Sequence, residues 1–275
     1  MNFFQAVLMG IVQGLSEFLP ISSSAHLVFT SNFYKVIKGI EIAQQSNEEV
    51  FLDIMLHFGT LIAVLIFFRK DIFTIIKAFC KRDFKDPDAK TGLYIVIGTV
   101  ITVILALPLQ GIAEKLVFAP AVTGLLLIIT GIVLLVSEKI SANQVSKPLN
   151  FRASIWIALA QGLAVLPGLS RSGWTIAAGL FRGISRVDAA KYSFLLSIPI
   201  ILGASMLYPV ININLHEALS YNWKAIIAGT VVSGITGYLC IKYFIKFVSK
   251  FSLAVFGYYC IIVGIITAIF FDCIK

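Results

Sequence analysis

Two short clusters hold the residues able to do chemistry in this sequence. Gln13 and Glu17 stand four residues apart, which puts them on one face of a helix. Ser22, Ser23 and Ser24 follow, with His26 four residues past Ser22. Far along the chain, Ser170, Arg171 and Ser172 form the second cluster. A carboxylate, a hydroxyl and an imidazole are the parts of base-assisted attack. A guanidinium beside serines suits bidentate contact with phosphate. Together they point to phosphoryl transfer, which needs mostly positioning and charge neutralisation. Glu17 reads as a general base or as the ligand of a divalent cation that bridges phosphate oxygens. Ser23, or a water in its place, is the attacking group, and His26 orients or protonates. The bland alternatives are serines that only cap helices, a Glu17–Arg171 pair that is only structural, and an interior histidine with satisfied nitrogens.

Both clusters interrupt apolar sequence. Hydrophobic residues make up 59% of the 275-residue chain, charged residues only 13%, and the mean hydropathy is +0.94. A soluble domain of this length needs far more charge to cover its surface. Six segments have about the 20 residues needed to cross hydrocarbon: Val50–Phe68, Gly92–Leu109, Ala119–Val136, Ala190–Tyr208, Lys224–Phe244 and Ser252–Phe271. Two more, Asn2–Thr30 and Phe151–Phe181, are broken midway by Pro and Ser and cannot be straight helices. Each is expected to be a re-entrant helix–break–helix hairpin, because broken backbone at membrane depth survives only where protein or water satisfies it. The first stretch has no basic n-region and runs into Gln13, Glu17 and Pro20, so it is kept in the mature protein rather than read as a signal peptide.

Basic residues orient the chain. The loop 69–90 holds seven, and alternation from it places sixteen Lys and Arg inside against five outside (Lys35, Lys38, Lys115, Lys224 and Lys275), with Arg171 in the membrane. The bias puts both termini outside. The net charge of +8 is accounted for by these inner loops, so no nucleic-acid partner is expected. Cys80, Cys240, Cys260 and Cys273 have no metal or disulfide spacing and read as small buried hydrophobes.

The two broken segments also resemble each other. Gln13 to Ser22 and Gln161 to Ser170 are equal intervals, and each copy precedes three spans. An odd number of spans turns the second copy upside down. The expected fold is therefore an all-α integral membrane protein of two inverted-topology repeats, each a re-entrant broken-helix hairpin plus three transmembrane helices. The chain is one domain, 1–275, with repeat one at 1–137, a cytoplasmic connection at 138–151 and repeat two at 152–275. Serine caps at both breaks aim two positive helix ends at one spot, where Arg171 adds its charge. Charge inside the bilayer costs on the order of 2.5–3.5 kcal/mol per residue, so Glu17 and Arg171, on opposite copies, are expected to meet there. Asp53 and Asp272 lie near span ends. His57 reads as packing or support beside the site, and His216 and Glu217 as loop residues.

With these residues assembled, the pattern Gln13-x-x-x-Glu17-Phe18-Leu19-Pro20-x-Ser22-Ser23-Ser24-x-His26 with Pro167-Gly168-x-Ser170-Arg171-Ser172-Gly173-x-Thr175 resembles the undecaprenyl-diphosphate phosphatases of the bacitracin-resistance type. The likeness runs the whole chain, including Leu56-His57-Phe58-Gly59-Thr60. It implies hydrolysis of undecaprenyl diphosphate to undecaprenyl phosphate and inorganic phosphate, recycling the lipid carrier of peptidoglycan synthesis and conferring bacitracin resistance. It further implies a divalent cation, Mg²⁺ or Ca²⁺, at Gln13 and Glu17. Ser23, His26 and Arg171 map to catalytic positions. Ser22, Ser24, Ser170, Ser172 and Thr175 join Arg171 around the diphosphate. Three positions depart from the pattern. Ala25 stands where Gly is common, Gln13 removes one charge, and Trp174, where a small residue is common, is expected to narrow the mouth of the site. The expected location is a bacterial plasma membrane with the site open to the outer, periplasmic face, among membrane lipids and compatible with a homo-oligomer. The alternative is a polyprenyl-phosphate transporter or flippase using the same midplane anion site.

Overall fold

The computed structural model describes residues 2–39, 46–142, 144–212 and 218–273, with side chains from 208 to 212 excepted. His216, Glu217 and Lys275 lie outside the described residues. All regular structure among them is helical. The elements are α1 (Phe3–Ser16), α2 (Ser23–Ile37), α3 (Asn47–Phe67), α4 (Arg69–Cys80), α5 (Pro87–Leu116), α6 (Pro120–Ser141), α7 (Phe151–Leu163), α8 (Arg171–Phe181), α9 (Arg186–Asn212), α10 (Trp223–Val248) and α11 (Ala254–Cys273). Local chemistry explains where many of them start. Ser46 and Glu49 form a capping box at α3, Asp86 precedes Pro87 at α5, and Asn150 and Asn222 accept from the first turns of α7 and α10.

The six expected spans are present as α3, α5, α6, α9, α10 and α11, each long and apolar enough to cross a bilayer. The chain is a multi-pass membrane protein. Both broken segments are helix pairs. With 14 residues, α1 reaches only about 21 Å, short of the ~30 Å hydrocarbon core, before the chain breaks over 17–22 and returns as α2.

The segment 69–90 departs from expectation. Its run of charges reads as a loop, yet residues 69–80 form α4. Ile75 and Ala78 are buried, Ile75 and Phe79 approach Gly92 of α5, and Asp71 pairs with Lys191 at the start of α9. An amphipathic periodicity lay beneath the charges. The second span also runs beyond Gly92–Leu109, to 30 residues with Pro108 inside it.

Packing follows small residues, as expected where lipid is as apolar as a side chain. The helix α6 lies on α11, α1 and α3 lie on α10, and α7 lies on α5. A Cβ on Gly124 of α6 would sit 2.8 Å from the Gly264 carbonyl oxygen of α11. Gly124→Val is therefore expected to cost about 1–3 kcal/mol, the usual penalty of overpacking. Gly111→Val, in open space on α5, should leave the melting temperature in detergent unchanged. Equal melting points for both variants would contradict this packing.

Candidate active site

The two breaks meet. At the first, α1 ends at Ser16, and the turn 17–21 leads to Ser22, whose backbone is left-handed at φ 68°. That conformation is costly for a residue with a Cβ and persists only where its surroundings hold it. Two bonds do so. Gly168 N–H, from the other break, donates to Ser22 Oγ (3.2 Å), and His26 Nδ1 donates to the Ser22 carbonyl (2.8 Å). The second break is fastened by Thr130 of α6, which donates to the Gly168 carbonyl (2.9 Å) and accepts from Ser170 N–H and Trp174 Nε1 (both 3.2 Å). Gly168 itself has φ +100°, a conformation open to glycine. Cys240 and Cys260, both buried, donate to the carbonyls of Leu15 and Pro20 around the first break. Cys80 and Cys273 are exposed rather than buried.

Glu17 is the hub. Its side chain is 5% exposed and forms an ion pair and hydrogen bond with Arg171 Nη2. Its other oxygen accepts from Ser23 Oγ (2.6 Å) and Gln13 Nε2 (3.0 Å). His57 Nε2 stands 3.8 Å from that same oxygen. Arg171 Nη1 and Gln13 Oε1 are buried with no hydrogen-bond partner among the described residues. A buried donor and a buried acceptor left open beside one carboxylate are groups that a ligand, an ion or a water would satisfy.

Glu17, Ser22, Ser23, Ser24 and Arg171 line a cavity of about 630 Å³. That volume is within the range of small-molecule sites. Its walls come from the N-terminal half of α3 and the C-terminal halves of α5 and α9, and it reaches Gln110 and Glu114 near the α5–α6 turn. These ends lie opposite α4 and its basic residues. Ser22 caps α2 by accepting from Ala25 N–H (3.4 Å), and Ser170 caps α8 by accepting from Gly173 N–H (3.1 Å). Both helix N-termini thus flank the Glu17–Arg171 pair.

Not every sequence candidate is in this cluster. Ser170, Ser172 and Thr175 are buried and do not line the cavity. Ser172 Oγ donates to the Leu19 carbonyl, joining the two breaks (2.9 Å), and Thr175 Oγ1 pairs with Ser193 Oγ (2.6 Å). His26 turns towards α11. Its Nδ1 serves the Ser22 carbonyl, so in the neutral ring Nε2 accepts from Tyr259 OH (2.9 Å), and the two rings stack at 5.7 Å. Trp174 binds Thr130 and does not line the cavity, so the expectation that it narrows the mouth is corrected. The expectation for His57 is packing or support beside the site. The residue lines the cavity directly, and its four-residue spacing from Asp53 was the available signal. The pair Glu138–Arg186, with Glu138 7% exposed and also accepting from Leu253 N–H (2.9 Å), ties α6, α9 and the start of α11 away from the cavity.

If His26 acts as a strut through Tyr259, Tyr259→Phe loses one hydrogen bond worth about 1 kcal/mol. The melting temperature should fall slightly while turnover stays within about tenfold. A near-complete loss of turnover would place His26 in the chemistry instead.

Comparison with known proteins gives a consistent match. A family model described as BacA, bacitracin resistance protein BacA, matches residues 6–266. A protein of Methanosphaera stadtmanae bearing the name undecaprenyl-diphosphatase is 39% identical, over 98% of this chain and 98% of its own. Proteins of the same name from Halothermothrix orenii and Methanobrevibacter smithii are 39% and 41% identical, over 98% and 97% of this chain and 98% and 96% of theirs.

Proposed function

The chain belongs to the BacA family of bacitracin resistance proteins, and from that premise we propose that it hydrolyses undecaprenyl diphosphate to undecaprenyl phosphate and inorganic phosphate. The reaction would return the lipid carrier to peptidoglycan synthesis and confer bacitracin resistance. The observation that carries the reading is the hydrogen bond from Ser23 Oγ to Glu17 Oε2 at 2.6 Å. A nucleophile and the base able to take its proton already touch, and the same carboxylate is held by Arg171, a guanidinium suited to phosphate.

In this mechanism Arg171 Nη1 and the first-turn amides of α2 and α8 hold the terminal phosphate, and Arg171 Nη2 holds Glu17 in place. Ser23 Oγ attacks the terminal phosphorus while its proton passes to Glu17. The bond from that phosphorus to the bridging oxygen breaks, and undecaprenyl phosphate leaves with the proton that Glu17 took from Ser23, so Glu17 is again a carboxylate. Water, its proton taken by Glu17, then attacks the Ser23–phosphate ester; the bond to Ser23 Oγ breaks, Glu17 returns that proton to Ser23 Oγ, and inorganic phosphate is released. Ser22 and Ser24 position the loop and the phosphate. Ser170 and Ser172 fasten the second break, and Thr175 steadies α8 beneath it.

A divalent cation fits the residues present. Glu17 Oε2 and the orphaned Gln13 Oε1 are hard oxygen donors, and one carboxylate plus substrate phosphate oxygens is a common Mg²⁺ arrangement. No cage of three or more His, Cys, Asp or Glu exists among the described residues, so the diphosphate would complete the coordination. When bound, the cation supplies charge neutralisation across the diphosphate.

The cavity opens on the side opposite α4 and the basic inner loops, which supports an outer, periplasmic mouth in the plasma membrane. The packing of α1 on α10 and of α7 on α5 is reciprocal between the halves and supports the inverted-repeat reading of 1–137 and 152–275. The test is phosphate release from undecaprenyl diphosphate by purified protein, with cation and with chelator. Release that needs the cation, and a Ser23→Ala variant at least about 10²-fold slower, are expected. Equal release by Ser23→Ala would leave water as the attacking group.

A further inference from the structure

The reaction described above leaves His57 without a role, although its ring faces the hub. His57 Nδ1 lies 2.7 Å from the Asp53 carbonyl oxygen. A carbonyl only accepts, so Nδ1 carries the hydrogen, and in the neutral ring Nε2 presents a lone pair. That lone pair stands 3.8 Å from Glu17 Oε2, too far for a hydrogen bond. In that form a lone pair faces a carboxylate oxygen across a gap at the edge of the cavity. The third acceptor, Gln13 Oε1, belongs to the carboxamide that touches the same Glu17 oxygen and has no partner among the described residues. A cation between Nε2 and Glu17 Oε2 would satisfy the imidazole lone pair, and Gln13 Oε1 is the nearby buried oxygen still open to it. The imidazole is also held as metal-ligating imidazoles usually are, with its far nitrogen donating to a backbone carbonyl that fixes the ring.

We propose that His57 Nε2 is a ligand of the divalent cation, completing with Glu17 Oε2 and Gln13 Oε1 a mixed nitrogen–oxygen site. The inference rests on the cation reading given under the proposed function and makes it more specific. A site of oxygens alone suits Mg²⁺ and Ca²⁺, whereas one imidazole nitrogen tilts the preference towards Mn²⁺ and later transition ions and away from Ca²⁺. It also gives a reason for Gln at position 13. With a nitrogen ligand present, a neutral oxygen keeps the carboxylate count at one, which leaves Arg171 as the main partner of Glu17. His57 enters from α3, so the cation would tie that span to the first break.

The experiment is pulsed electron paramagnetic resonance of the purified full-length protein loaded with one equivalent of Mn²⁺. A directly bound imidazole gives nitrogen hyperfine modulation on Mn²⁺. Protein grown with ¹⁵N-histidine should lose the ¹⁴N pattern, and this needs no mutation and so carries no risk of misfolding. His57→Gln should abolish the modulation and weaken Mn²⁺ binding by about tenfold or more, the least expected when metal-site partners are lost. Ca²⁺ binding should change less. His26→Gln should keep the modulation. Stoichiometric Mn²⁺ without histidine nitrogen coupling, or coupling that survives His57→Gln, overturns this proposal and leaves the oxygen-only cation site standing. Failure of Mn²⁺, Mg²⁺ and Ca²⁺ alike to bind sinks the cation reading, and this proposal with it.

Discussion

A Glu17→Gln protein is expected to release phosphate about 10³-fold more slowly than the parent while keeping its helices and its elution in detergent. The substitution changes almost no volume, so the packing around the first break stays. What it removes is a charge and a base. The Ser23 hydroxyl then donates to a carboxamide that cannot take its proton, and general-base assistance is worth about 10²–10⁴ in rate. Arg171 loses its counter-charge, and breaking one partner of a buried pair costs about 3–5 kcal/mol where burial is complete. Arg171 retains 17% side-chain exposure and borders the cavity, so the fall in melting temperature should sit at or below the lower end. The loss should fall on kcat, since a guanidinium freed from Glu17 holds the diphosphate at least as well. Turnover within tenfold of the parent would remove Glu17 from the chemistry.

The second large effect is at Arg171, where Lys is not a conservative replacement. One nitrogen of the guanidinium is committed to Glu17 while the other is buried without a partner among the described residues. A planar fork can serve carboxylate and phosphate together, whereas an ammonium is a single point charge. Arg171→Ala is expected to lose about 10³–10⁵ in kcat/KM, the range of arginines that neutralise a transferring phosphoryl group. Arg171→Lys should recover only part of this. Because the two residues act as one unit, the Glu17→Gln, Arg171→Ala double variant should be far less impaired than the product of the single losses. Simple additivity of the two losses in steady-state kinetics would show that the ion pair is incidental. No phosphate release by well-folded protein that still binds the lipid would favour the transporter reading.

Much of this is legible in the sequence itself. Spans declare themselves through runs of apolar residues, and breaks through Pro20, Pro167 and the serines beside them, because those signals are local. The serine caps at α2 and α8 are local too, and the meeting of Glu17 with Arg171 followed from the similarity of the two broken segments. The helix at Arg69–Cys80 is hidden in the sequence because seven basic residues over 69–90 read as a loop and mask its narrow apolar face.

Tertiary structure alone decided which face each helix turns inward. In a soluble helix the polar face identifies the outside. In a bilayer the lipid and the protein interior are equally apolar, so hydropathy leaves rotation about the helix axis undetermined. Rotation is set instead by where small residues allow backbones to approach, as Gly124 does against Gly264. That is why His57 and His26, alike in sequence as polar residues in apolar helices, end in different places, one facing Glu17 and the other bound to Tyr259. The sequence by itself determined which groups enter the membrane and where its helices break. Close packing of the bundle decided which of those groups share a cavity.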